Sequence, residues 1–128
     1  MNIEIKDIEL YLSQVKGAVK NNRYRLDRNS KRQDNIDLFF DYMIDEQKAK
    51  DIILELTAMD FSEILKNEHA GYEHERLYVF GKDVKLLERV GSKEKKVSLY
   101  IKFNKLENHF VIIISFHEQK YPLNYYFR

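Results

Sequence analysis

The sequence predicts an α+β domain, with N-terminal helices packed on one face of a C-terminal antiparallel β-sheet. Three observations predict it. Up to about residue 57 the apolar residues recur at helical spacing. After residue 75 they alternate at strand spacing. The chain has 128 residues, 44% hydrophobic and 34% charged, which suffices for one core but not two. Helices that precede the strands, rather than alternating with them, gather on one side of a sheet.

In chain order, Ile5, Ile8, Leu12, Val15 and Val19 form one stripe on a helix from Asp7 to about Asn21. Asn21-Asn22 ends it. Residues 23–35 are polar, basic and aperiodic, which reads as a loop or an extended arm. The apolar cluster from Ile36 to Ile44 predicts a short helix or turn. Asp45 suits an N-cap and Glu46 a first turn, and Ala49, Ile52, Ile53 and Leu56 mark one face of a helix ending near Thr57. Asp60-Phe61 opens a short helical or irregular link, and residues 66–75 form a polar loop.

Arg76–Phe80 reads as a strand, which Lys82–Val90 either continues or follows as a second one. Gly91–Lys95 is a turn, Val97–Leu106 a strand, Glu107-Asn108 a tight turn and His109–His117 a strand. Tyr121–Arg128 is aromatic and ends in a cation, so it is expected to dock back on the domain.

Composition narrows the function classes. No cysteine means no disulfide and no thiolate metal site, and suits a reducing compartment. The longest apolar run, Phe110–Ile114, is strand-sized, so no membrane partner is expected. The acidic N-terminus lacks a signal-peptide core, so the expected location is cytoplasmic. No glycine-rich phosphate loop, dinucleotide fingerprint or nucleophile elbow occurs. His69 and His74 sit among Glu68, Glu73 and Glu75 in no closed zinc pattern, so neither a metal nor a cofactor is expected.

Net charge is only +1, but it is segregated. Residues 14–32 carry seven cations against Asp27 alone, and residues 33–75 carry twelve acids against Lys48, Lys50 and Lys66. Residues 82–105 carry eight cations against Asp83, Glu88 and Glu94. Such segregation can give a neutral protein a basic face suited to a polyanion.

Alternation sorts the strand residues. Phe110, Ile112, Ile114 and Phe116 are expected to pack under the helices, with Val111, Ile113, Ser115 and His117 opposite. Tyr100, Lys102, Ser115 and His117 then share the uncovered face. Metal-free RNA cleavage needs a base for the ribose 2′-OH, a cation for the charged phosphorane and an acid for the leaving 5′-oxygen. His117 can be base or acid, since an imidazole titrates near neutral pH. Lys102 can supply the electrostatic contribution and Tyr100 a proton or a stacking surface. A strand-end histidine is more often a surface residue, an exposed lysine is usually only solvated, and sheet tyrosines more often pack than bind bases.

Several strings resemble the MqsR family of toxins. Leu12-Ser13-Gln14-Val15-Lys16 resembles its opening helix and Asp60-Phe61 its link into the sheet. Val79-Phe80-Gly81, Tyr100-Ile101-Lys102 and Ile114-Ser115-Phe116-His117 resemble its strands, and Pro122-Leu123 with Tyr125–Arg128 resembles the arginine-ended tail of one branch. The pieces span nearly the whole chain in order. The resemblance implies a RelE-like fold, metal-independent mRNA endoribonuclease activity and a cognate antitoxin partner. It implies that Tyr100 is an active-site tyrosine and that His117 stands where the family carries a lysine. Two positions depart from the pattern: Glu63 replaces a lysine expected after Asp60-Phe61, and Tyr78 falls near an expected glutamine. Lys82 and Arg128 join Tyr78 as candidate RNA contacts, the two cations by charge and position. The competing expectation is a non-catalytic RNA- or protein-binding module of the same fold.

Overall fold

The computed structural model describes residues 2–128. Helix α1 spans Ile5–Lys20. The Asp7 carboxylate accepts from the Glu4 N–H at 3.1 Å, satisfying a donor at its start. Its buried stripe is Ile8, Tyr11, Leu12, Val15, Ala18 and Val19, whereas Ile5 is 44% exposed. Asn22, at φ 56°, turns the chain into β1, Tyr24–Leu26. Helix α2 (Gln33–Asp41) and helix α3 (Glu46–Leu54) follow. The Asp45 side chain caps α3 by accepting from the Lys48 N–H at 2.8 Å. Arg89 closes α2, donating to the carbonyls of Phe39, Phe40 and Tyr42 at 2.6, 2.7 and 3.1 Å.

A 3-10 turn at Ala58–Asp60 leads into β2 (Phe61–Lys66), and β3 (Arg76–Leu87), β4 (Glu94–Lys105) and β5 (Val111–Glu118) complete the sheet. The strand order is β1-β5-β4-β3-β2. The fold is therefore α+β, with the helices N-terminal and most of the sheet C-terminal. The expected antiparallel sheet is corrected to a mixed one, because β1 pairs parallel with β5 through Tyr24–Val111, Arg25–Ile112 and Leu26–Ile113. Three residues inside a basic, aperiodic segment are too few to show a period. β2 occupies residues expected to form a link. Its register skips between Phe61 and Glu63, which breaks the alternation that would have marked a strand.

One apolar core joins α1, α2 and α3 to the sheet, through Phe61, Phe80, Leu99, Ile101, Phe103 and Phe116 among others. On β5 the expected facing is half reversed. Lys102 lies opposite Ser115 but Phe103 lies opposite Ile113, so Ile114 is an extra residue, a β-bulge. Before the bulge Val111 and Ile113, not Phe110, Ile112 and Ile114, face the helices; after it Phe116 does.

Asn35 of α2 is 1% exposed and replaces a neighbouring strand where β1 ends. Its amide donates to the carbonyls of Asp27 (2.8 Å) and Ile114 (2.9 Å), and its oxygen accepts from the Phe116 N–H (2.9 Å).

The segment after β5 folds back over part of the sheet face away from the helices, beside Tyr100, which pairs with Gly81. Gln119 donates to the Leu99 carbonyl at 2.9 Å, Ser62 Oγ to the Asn124 carbonyl at 2.6 Å, and the Tyr126 N–H to the Phe61 carbonyl at 3.0 Å. Gly81 lies directly beneath it. A Cβ there would meet Tyr125 Oη at 2.5 Å, Leu123 Cδ1 at 2.7 Å and Gln119 Nε2 at 2.9 Å. Gly81→Ala is expected to lower stability by about 1–3 kcal/mol, as overpacking does. A thermal unfolding curve checks this, together with faster proteolysis after β5; a variant melting with the parent would show that the segment does not press on Gly81.

Candidate active site

The pairing of β4 with β5 sets Tyr100 opposite His117 and Lys102 opposite Ser115. These side chains lie on the sheet face away from the helical core, since their strand neighbours Leu99, Ile101, Phe103 and Phe116 fill that core. The Tyr100 and His117 rings stack, with centroids 5.2 Å apart and planes inclined by 13°. Lys102 follows Tyr100 on the same face, about 7 Å along the strand. All three side chains are half-buried.

The His117 ring is oriented by its neighbour. Nδ1 lies 2.8 Å from the Glu118 carbonyl oxygen. A carbonyl only accepts, so Nδ1 carries the hydrogen, and in the neutral ring Nε2 keeps a lone pair for a substrate. Burial pushes the Tyr100 phenol up, with the Glu63 carboxylate adding to the shift, so Tyr100 stays a proton donor across the neutral range. Burial holds Lys102 below the usual lysine range, and the Arg32 guanidinium adds to this. A base, a proton donor and an ammonium group thus occupy one face of the sheet.

The other three candidates lie elsewhere. Tyr78 is on the helical face, where its ring stacks on Tyr11 at 3.7 Å and 12° and borders the core. One surface therefore cannot present both Tyr78 and Tyr100. Tyr78 shares strand parity with Phe80, and that parity was the available signal. Lys82 and Arg128 converge on Asp60, which is 6% exposed. Lys82 Nζ lies 3.9 Å from one carboxylate oxygen, which also accepts from the Thr57 N–H at 2.8 Å. Arg128 lies 3.2 Å from the other oxygen and 4.1 Å over the Tyr125 ring. Both cations are thus engaged with Asp60, and the Arg128 contact ties the C-terminal segment to it.

Two flanking features escaped the sequence reading. Arg32 is in the segment read as a loop, and nothing in the sequence links it to a strand some seventy residues later. On the other flank His117 lines a cavity of about 260 Å³ with Asp34, Asp37, Asp41 and Glu118. Lys120, which hydrogen-bonds Asp34 at 2.8 Å, holds that carboxyl below the usual carboxylate range. The spacing of the three aspartates on α2 was the legible signal there.

Among the described residues no cluster of three His, Asp or Glu side chains could hold a metal ion, and no helix is long and apolar enough to cross a membrane. Compared with protein-family models, curated proteins and solved structures, the chain matches none.

Proposed function

We propose that this domain is a metal-independent endoribonuclease acting on mRNA, the toxin of a toxin–antitoxin pair in the cytoplasm, with Tyr100, Lys102 and His117 as its catalytic residues. The observation that carries the reading is the stacked Tyr100–His117 pair with Lys102 beside it on the uncovered sheet face. His117 Nε2 removes the ribose 2′-OH proton. The 2′-oxygen attacks phosphorus and the P–O5′ bond breaks, giving a 2′,3′-cyclic phosphate. The Tyr100 hydroxyl protonates the departing 5′-oxygen, and Lys102 stabilises the phosphorane charge. Incubating the purified protein with a mixed RNA in EDTA tests this. Cleavage to cyclic-phosphate ends supports it, and intact RNA rejects it. Growth arrest on expression, relieved by a co-expressed partner, tests the toxin assignment.

The acids around the His117 cavity favour a second reading, a non-catalytic module that binds a basic partner, because carboxylates beside His117 repel phosphate. Its signature is protein binding with no RNA cleavage.

Lys102 yields a two-sided prediction. Its folded-state pKa lies below the ordinary 10.5, so the charged form costs stability. That cost is full at neutral pH and lifts as pH rises from the depressed value toward 10.5. Lys102→Met is therefore expected to raise stability by roughly 0.5–1 kcal/mol, a figure discounted for solvent screening, while lowering cleavage at least about tenfold. Thermal unfolding and single-turnover cleavage read the two effects; a variant that loses stability would show that Lys102 is not held at a cost.

A further inference from the structure

Lys102 also faces a cleft of about 620 Å³ on its other side, between the sheet and the loop after β2. Arg32 stands across it, and neither the Lys102 ammonium nor the Arg32 guanidinium has an ion-pair or hydrogen-bond partner among the described residues. Two half-buried like charges in a cleft without a counter-ion are unfavourable for folding, and an anion between them would relieve both. The cleft floor is apolar, formed by Leu65, Leu77 and Ile114. Glu68 is the one acid at its rim and is exposed.

Beyond Asn67 and His69, which line both, the cleft opens into a mainly apolar hollow of about 560 Å³ containing Ile112 and Tyr72, whose one acid, Glu75, accepts hydrogen bonds from the Asn67 and Asn104 amides. Tyr72 is 55% exposed, a large ring lying open to solvent. A paired cation site, an apolar floor and an exposed ring further along make the alternation of phosphate contact and stacking platform that suits a single-stranded nucleic acid. An acidic peptide would satisfy the cations but has less use for the exposed ring.

We infer that this groove, from Arg32 and Lys102 past His69 to Tyr72, is a binding track for single-stranded RNA, taking one backbone phosphate between the two cations and a base on the Tyr72 ring. The inference rests on the proposed nuclease reading, for it names where the strand beside the scissile bond lies. Arg32 and Tyr72 act here as binding residues and touch no reacting atom.

The test uses the full chain and a fluorescein-labelled, fully 2′-O-methylated RNA 8-mer, which cannot be cleaved for want of a free 2′-OH. Anisotropy titrations at several salt concentrations give its Kd. Arg32→Gln should weaken binding about tenfold and reduce the salt slope by about one. Tyr72→Ala should weaken it by about 5- to 100-fold with the salt slope unchanged. Both side chains are on the surface of the groove, and unfolding curves matching the parent confirm that the variants fold. If both bind as the parent does, the track is not there. Loss of binding to a glutamate-rich peptide by the same variants, with RNA binding unaffected, would overturn it in favour of a protein partner. The two proposals fail separately. Groove-dependent RNA binding with no cleavage of ordinary RNA sinks the nuclease and keeps the track. Cleavage whose KM ignores both substitutions sinks the track and keeps the nuclease.

Discussion

His117→Ala is expected to lower the single-turnover cleavage rate by about 100- to 10,000-fold, the usual worth of a positioned general base. The fold should survive, because the ring projects from the sheet face away from the helices and its hydrogen bond is to the adjacent carbonyl of Glu118. The stacked contact with Tyr100 is lost, at a cost of about 0.5–1.5 kcal/mol. Cleavage by a protein that still unfolds cooperatively is the decisive measurement. Unchanged cleavage would remove His117 from the chemistry and take the proposed mechanism with it. Tyr100→Phe, which keeps the stack and loses the proton donor, should reduce the rate on substrates with a poor leaving group more than on activated ones.

Asn35→Ala should produce the largest loss of stability, about 3–5 kcal/mol. The side chain is fully buried and makes three hydrogen bonds to backbone groups of two separate segments. Removing it leaves the Phe116 N–H and the Ile114 carbonyl without partners, each at a desolvation penalty of about 1–3 kcal/mol, and opens a small cavity. Chemical denaturation reads the loss directly. Asn35→Asp should be nearly as damaging, since a carboxylate accepts from Phe116 but cannot donate to Asp27 and Ile114. A loss below 1 kcal/mol would mean that the edge of β5 is solvated there rather than held by α2.

The elements that were legible in the sequence are those with a sustained period. The α1 stripe and the Asp45 cap lie where spacing and chemistry set them, and β3 and β4 follow their alternation, whereas β5 is a strand as expected but its bulge breaks the alternation. Elements held by tertiary contacts were not legible. β1 is a strand because the β5 edge accepts it, and β2 is obscured by its own bulge. Of the six candidate side chains, strand pairing gathered Tyr100, Lys102 and His117. Lys82 and Arg128 were chosen for their charge, and charge does not reveal a buried carboxylate such as Asp60 brought near by folding. Tyr78 was chosen for its place in the resemblance, against the parity of its own strand.

The extra residue in β5 decides more than a local kink. A strand displays its side chains by odd and even count, so an insertion of one residue inverts everything downstream of it. With Val111 and Ile113 turned toward the helices, unbroken counting would send Ser115 and His117 into the core and Phe116 outward. Deleting Ile114 would remove the bulge and leave the facing intact, with Val111, Ile113 and Phe116 inward and His117 outward. Ile114 is therefore the residue whose presence the bulge absorbs: a one-residue insertion that the strand could not bulge out would carry the imidazole inward, away from any chemistry that depends on it.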